Sequence, residues 1–213
     1  MDTPTYMVEK ISRDVRITTI YEGTSEIMEM TISRDRWQSH LKTRGQHYHN
    51  EARKFEALHA QHPDVGADIA ALSMHALAEV MEKARAGRLT RYQHILLRLG
   101  EFIAYAECAG TLSRRAALLL DGKLNEKSNR RFDPAKFAAV SRVFAREAAL
   151  KVAEEGLRWI IAAGGVSAAE LPAFEASLGL AAIHQSQAGL MADMDSVADA
   201  LYGRATKVVS IAA

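Results

Sequence analysis

A chain of 213 residues, 48% hydrophobic and only 7% aromatic, has enough apolar content for one fair-sized core or two small ones and is composed for helix rather than sheet. With 27 basic and 26 acidic side chains the net charge is +1, which excludes the basic footprint of a nucleic-acid binder or of a protein held to anionic lipid. A single cysteine, Cys108, excludes an internal disulfide, and no apolar run approaches the roughly 20 residues of a membrane span. The expectation is an all-α chain in a reducing, cytoplasmic setting, without a signal peptide and without nucleic acid as partner. Cys108, between Glu107 and Ala109, reads as a small residue packed inside a helix.

In chain order, Thr3 and Pro4 look like an N-cap and a first-turn proline, opening a short helix through about Arg16. An apolar-polar segment, Arg16 to Ile20, then gives a strand-like approach to Tyr21. After a turn at Gly23, Thr24 or Ser25 caps a second helix with Ile27, Met30, Thr31, Trp37 and Leu41 as its apolar positions, running to about His62, where Pro63 stops it. A third helix spans Asp64 to about Ala86, with Gly87 as C-cap. A fourth, from about Thr90 to Leu120, carries Ile95, Leu99, Phe102, Ile103 and Leu118 to Leu120 and reads as largely buried. Residues 121–133 form a polar loop. Pro134 restarts a fifth helix through about Ala163, and a last helical segment over 168–202 is interrupted near Pro172 and Gly179. Long helices joined by short loops predict an antiparallel bundle from about residue 24 onward.

The stretch Tyr21-Glu22-Gly23-Thr24-Ser25-Glu26 allows two readings. Glu22 is a solvated turn carboxylate beside a permissive glycine and a helix cap, or it is a carboxylate held in place by that turn. Its context favours the second. Val8-Glu9-Lys10-Ile11-Ser12-Arg13-Asp14, then Arg16-Ile17, then Ile20 through Ile27, resembles the acyl-CoA dehydrogenase family in residues and in spacing. The resemblance implies an FAD enzyme that removes an α-proton and a β-hydride from an acyl-CoA thioester, with Glu22 as catalytic base. A carboxylate suits that task, because hydrogen bonding to the thioester carbonyl acidifies the α-proton and a dry site strengthens the base. The same resemblance implies substrate contacts for Tyr21, Gly23 and Arg34, and FAD contacts for Thr24, Ser25 and Glu26 at a helix start suited to a pyrophosphate. Arg34 reads equally well as a solvated helix charge.

On this reading residues 1–39 are the end of the family's C-terminal helical domain, and residues 40–213 are a helical-bundle extension. That extension resembles, in size and helical character, the one on very-long-chain acyl-CoA dehydrogenases. The expected chain is a C-terminal fragment, inactive alone and without retained FAD, because the family's N-terminal helical and β-barrel domains would hold most flavin and CoA contacts. Implied partners are the acyl-CoA, an electron-transfer acceptor for the reduced flavin and a second copy in a homodimer, with peripheral membrane contact conceivable but not indicated. The alternative is a non-catalytic helical module for dimerisation or docking.

Other constellations are weaker. Glu56-Ala57-Leu58-His59 has the Glu-x-x-His spacing of di-iron bundles, but no second pair accompanies it, so no metal site is expected. Asp193, Asp195 and Asp199 read as the exposed side of the last helix. Met28, Met30, Met74, Met81, Met191 and Met194 read as core filler.

Overall fold

The computed structural model describes residues 8–124 and 132–203, and every regular element among them is helical. Helix α1 (Val8–Asp14) tightens into a 3₁₀ turn at Val15–Thr19, followed by α2 (Ser25–Lys42), α3 (His47–Gln61), α4 (Ala67–Ala86) and α5 (Gln93–Leu120). After the loop come α6 (Pro134–Leu150), α7 (Gly156–Ala162), α8 (Leu171–Ser177), α9 (Leu180–Gln185) and α10 (Leu190–Tyr202). Thr3, Pro4 and the middle of the expected 121–133 loop lie outside the described residues.

Helices α3 to α6 form an up-down-up-down bundle, the expected all-α architecture. His59 faces Asp68 and His49 faces Glu79, so α3 and α4 are antiparallel. Lys151 reaches Glu101 at 2.9 Å and Ser113 meets Ser141 at 3.3 Å, so α5 and α6 are antiparallel as well. Small residues let the axes approach: Ala70, Ala71 and Ala78 on α4, Ala106, Ala109 and Gly110 on α5, and Ala138, Ala145 and Ala149 on α6 are all buried. Phe55, Leu77, Met81, Leu99, Phe102 and Ile103 fill the space between.

Several local expectations change. The approach to Tyr21 is a 3₁₀ turn, not a strand; Thr18 and Thr19 hydroxyls donate back to Val15 and Arg16 carbonyls, which favours local turns over extension. The expected single helix to His62 is two, because Arg44 (φ 52) and Gly45 (φ 83) turn left-handed and end α2. The start of the third helix is likewise a 3₁₀ turn, Pro63–Val65, joined to α4 by left-handed Gly66. By contrast, Gly87 caps α4 as expected, and the fifth helix runs unbroken to Ala162 through a π turn at Lys151–Glu155. The buried face of α2 also shifts: Ser33 and His40 are buried, whereas Ile27 and Leu41 are about half exposed. Cys108, Leu118 and Leu120 are exposed on α5, and Met28, Met191 and Met194 are exposed rather than core. Asp193 is buried, not on a solvated face.

Candidate functional site

The Tyr21–Glu26 turn sits where the chain passes from the N-terminal arm into α2. Ile20 and Tyr21 amides both donate to the Ile17 carbonyl at 3.0 Å, closing the 3₁₀ turn. Glu22 then adopts φ 60 and Gly23 φ 123. The first value is uncommon for a residue with a Cβ, and the second is open in practice to glycine alone. Left-handed backbone costs a side-chain-bearing residue roughly 1–2 kcal/mol, and such strain concentrates at sites where a side chain is aimed. Arg44 and Arg88 (both φ 52) share this left-handed backbone at helix ends; at Glu22 the side chain is exposed.

Thr24 caps α2, its hydroxyl accepting the Ile27 amide at 3.4 Å. Glu26, in the first turn, has its carboxyl held below the usual range by its own amide and by the Thr24 hydroxyl. The helix start therefore keeps an anion in place, as expected of donors without intrahelical partners. Ser25 is exposed beside it. Arg34 also projects from α2 into solvent, roughly 15 Å of helix beyond Thr24. Tyr21 through Glu26 are thus contiguous on one turn, while Arg34 is not brought to Glu22.

Among the described residues, no wall closes over this turn. Residues 10–22 are all exposed, including Ile11, Val15, Ile17, Ile20 and Tyr21, each at 50% or more. Ile27 and Met28 continue that apolar surface onto α2. Thr24, Ser25 and Glu26 suit one anionic edge of a flavin nucleotide, with the Glu26 carboxylate already occupying part of the donor set.

The larger cavities lie elsewhere. One of about 260 Å³ is lined by Arg36, Tyr48, Glu51, Phe55, Glu107 and Arg114, and a neighbour of about 510 Å³ shares Arg36 and Glu107 and includes Cys108. Arg36 donates to Glu107 at 2.5 and 3.0 Å, and the Tyr48 hydroxyl donates to the same carboxylate at 2.8 Å. Burial, and then the Glu107 charge, push the Tyr48 phenol up. The hydrogen bond to Glu107 pushes the Arg36 guanidinium up. This network ties α2 and α3 to α5, and no sequence spacing announces it, since Glu107 is 71 residues from Arg36. The Glu56/His59 pair does not act as one ligand set: Glu56 meets His75, and His59 meets Asp68. No group of three or more metal-ligating side chains converges among the described residues, and no helix there is long and apolar enough to cross a membrane.

Fold and site together define an all-α bundle bearing an exposed arm with a strained, carboxylate-bearing turn. The family model for the acyl-CoA dehydrogenase C-terminal domain matches residues 2–36, which covers the arm, the turn and the first two thirds of α2. No curated protein and no solved structure matches the chain.

Proposed function

We propose that the chain is the C-terminal part of an FAD-dependent acyl-CoA dehydrogenase, with Glu22 as the base that removes the α-proton of an acyl-CoA thioester. The observation that carries this reading is the match of residues 2–36 to the acyl-CoA dehydrogenase C-terminal domain, within which Glu22 stands exposed on the left-handed turn that leads into α2. Strain at a carboxylate with no local packing partner is explained if the turn docks against a substrate site. Docking would bury Ile17, Ile20 and Tyr21, exclude water around Glu22 and set the carboxylate against the α-carbon. Gly23 leaves room for the acyl chain, and Tyr21 lines it. Bound FAD supplies the acceptor for the β-hydride, so the product is a trans-2-enoyl-CoA and a downstream electron acceptor is required. Thr24, Ser25 and Glu26 contribute at the nucleotide's edge. Arg34 lies outside the catalytic contacts unless the substrate spans that distance. The division into residues 1–39 and a 40–213 extension passes within α2, so the two parts would move as one body.

The test uses the protein encoded by the upstream-extended reading frame. Its flavin absorbance should bleach with one chain-length class of acyl-CoA, and Glu22→Gln should slow that bleaching by at least about 100-fold. Bound flavin that no acyl-CoA reduces, or a Glu22→Gln variant as fast as wild type, would overturn the assignment. A second reading, a non-catalytic module that dimerises or docks, draws on Met191, Met194, Leu201 and Tyr202, all exposed on α10. It becomes the better one if no in-frame sequence encodes the remaining domains.

A further inference from the structure

Helices α3 and α4 carry a four-residue chain of side chains that the catalytic reading does not use. The Nδ1 atoms of His49 and His75 lie 2.7 Å apart. The ring centroids are 5.0 Å apart, which is that contact plus one ring radius at each end, so the nitrogens meet nearly head-on. Each ring turns its other nitrogen to a carboxylate: His75 Nε2 to Glu56 at 3.1 Å, and His49 Nε2 to Glu79 at 3.3 Å. The order Glu56–His75–His49–Glu79 therefore runs across the two helices.

This arrangement constrains the protons. If both Nε2 atoms donate to their carboxylates, the two Nδ1 atoms face each other as lone pairs, and something positive must sit between them. A single shared proton satisfies that condition, and so does a metal ion. Metal-bound histidines characteristically donate their second ring nitrogen to a carboxylate, which fixes the tautomer and raises ligand basicity. Here both histidines have that support in place. Imidazole is a ligand for Zn²⁺, Cu²⁺ and Ni²⁺, with Cu²⁺ the tightest of the three by the usual order.

We propose that the facing Nδ1 atoms of His49 and His75 form a site for one divalent late transition-metal ion, with Glu79 and Glu56 as its outer carboxylates and water completing the coordination. The ion sits between the two facing lone pairs. For Zn²⁺, two metal–nitrogen bonds of about 2.0–2.1 Å at a tetrahedral angle set the nitrogens roughly 3.3 Å apart, so the rings must part by roughly 0.6 Å and each must swing by roughly 35° to aim its lone pair at the ion rather than at the other nitrogen. Both side chains are partly buried, with 21% and 31% exposure, which leaves each ring a solvent side toward which it can move. The bound ion would then clamp α3 to α4 near the middle of the bundle.

Cu²⁺ titrated into the purified chain provides the test, read by electron paramagnetic resonance and by thermal unfolding. The expected result is one tight equivalent with two equatorial imidazole nitrogens and a rise in Tm. His75→Ala and His49→Ala should each abolish the two-nitrogen signal and the Tm rise. Glu79→Gln and Glu56→Gln keep both ligands and should weaken binding by about 10–100-fold, with circular dichroism confirming an unchanged fold. A two-nitrogen signal that survives His75→Ala, or no tight equivalent in the wild type, would overturn the proposal.

Discussion

Asp193 is where a single side chain fastens the end of the chain to the bundle. Its carboxylate accepts from Arg142 Nε at 2.9 Å and from Arg146 Nη1 at 2.6 Å, while Arg146 also donates to the Ser186 and Ala188 carbonyls. Arg146 is buried, so removing its partner leaves a charge with only carbonyl neighbours. Asp193→Ala should therefore cost roughly 3 kcal/mol, read as a lower urea midpoint with α10 released. Burial works to raise the Asp193 carboxyl, but the Arg142 and Arg146 bonds outweigh it and hold it below the usual range. A depressed folded value means that this stability is fully present above about pH 4, the unfolded range of aspartate, and is lost as pH falls through the lower folded value. Asp193→Asn should accordingly flatten the acid limb of the stability profile; an unchanged limb would rule the clasp out. Sequence alone could not find this role. Met191 and Met194 suggested the inward face of α10 by their apolarity, yet they point outward, and the buried position went to an aspartate whose partners lie about fifty residues earlier.

At the scale of elements, the tightest contact is α2 on α5. A methyl group at Gly100 would lie 2.1 Å from the Glu29 carbonyl oxygen and 2.8 Å from the Glu29 Cα, both backbone atoms that cannot rotate away. Gly100→Ala should force the helices apart, costing about 1–3 kcal/mol and loosening the Arg36–Glu107 pair further along. A thermal midpoint equal to wild type would mean α2 is not seated there. Helix existence was largely legible, because the 3.6-residue period, Gly87 and Asp133–Pro134 are local signals. Which face of each helix is buried was less so. Along α2 the buried positions are polar, Ser33 and His40, and they are chosen by α4 and α5 rather than by hydrophobicity. The break at Thr43–Gln46 carried a weak local sign, Arg44–Gly45, overshadowed by helix-favouring neighbours.

Among the described residues, α3 to α6 form an ordered bundle and the arm at residues 10–22 is exposed throughout. The Tyr21–Glu26 turn was legible as a motif, since its residues are contiguous; its exposure was not, because burial depends on contacts distant in sequence. A helix of 7 residues such as α1 is marginal in water without tertiary support. Ile11, Ile17, Ile20 and Tyr21 are between 51% and 61% exposed, so completing the burial of each would contribute roughly 1 kcal/mol, which helps a docked arm to offset its own ordering. Hydrogen exchange by mass spectrometry separates the two states. In the isolated chain, amides of residues 8–23 should exchange within seconds, while those of α4 and α5 exchange near the rate set by global unfolding. If the chain is part of a flavoprotein, as proposed, the same arm should become protected in it, and more so with acyl-CoA bound. An arm as protected as α4 in the isolated chain would mean that its apolar face is already satisfied, and the docking on which Glu22 depends would lose its driving force.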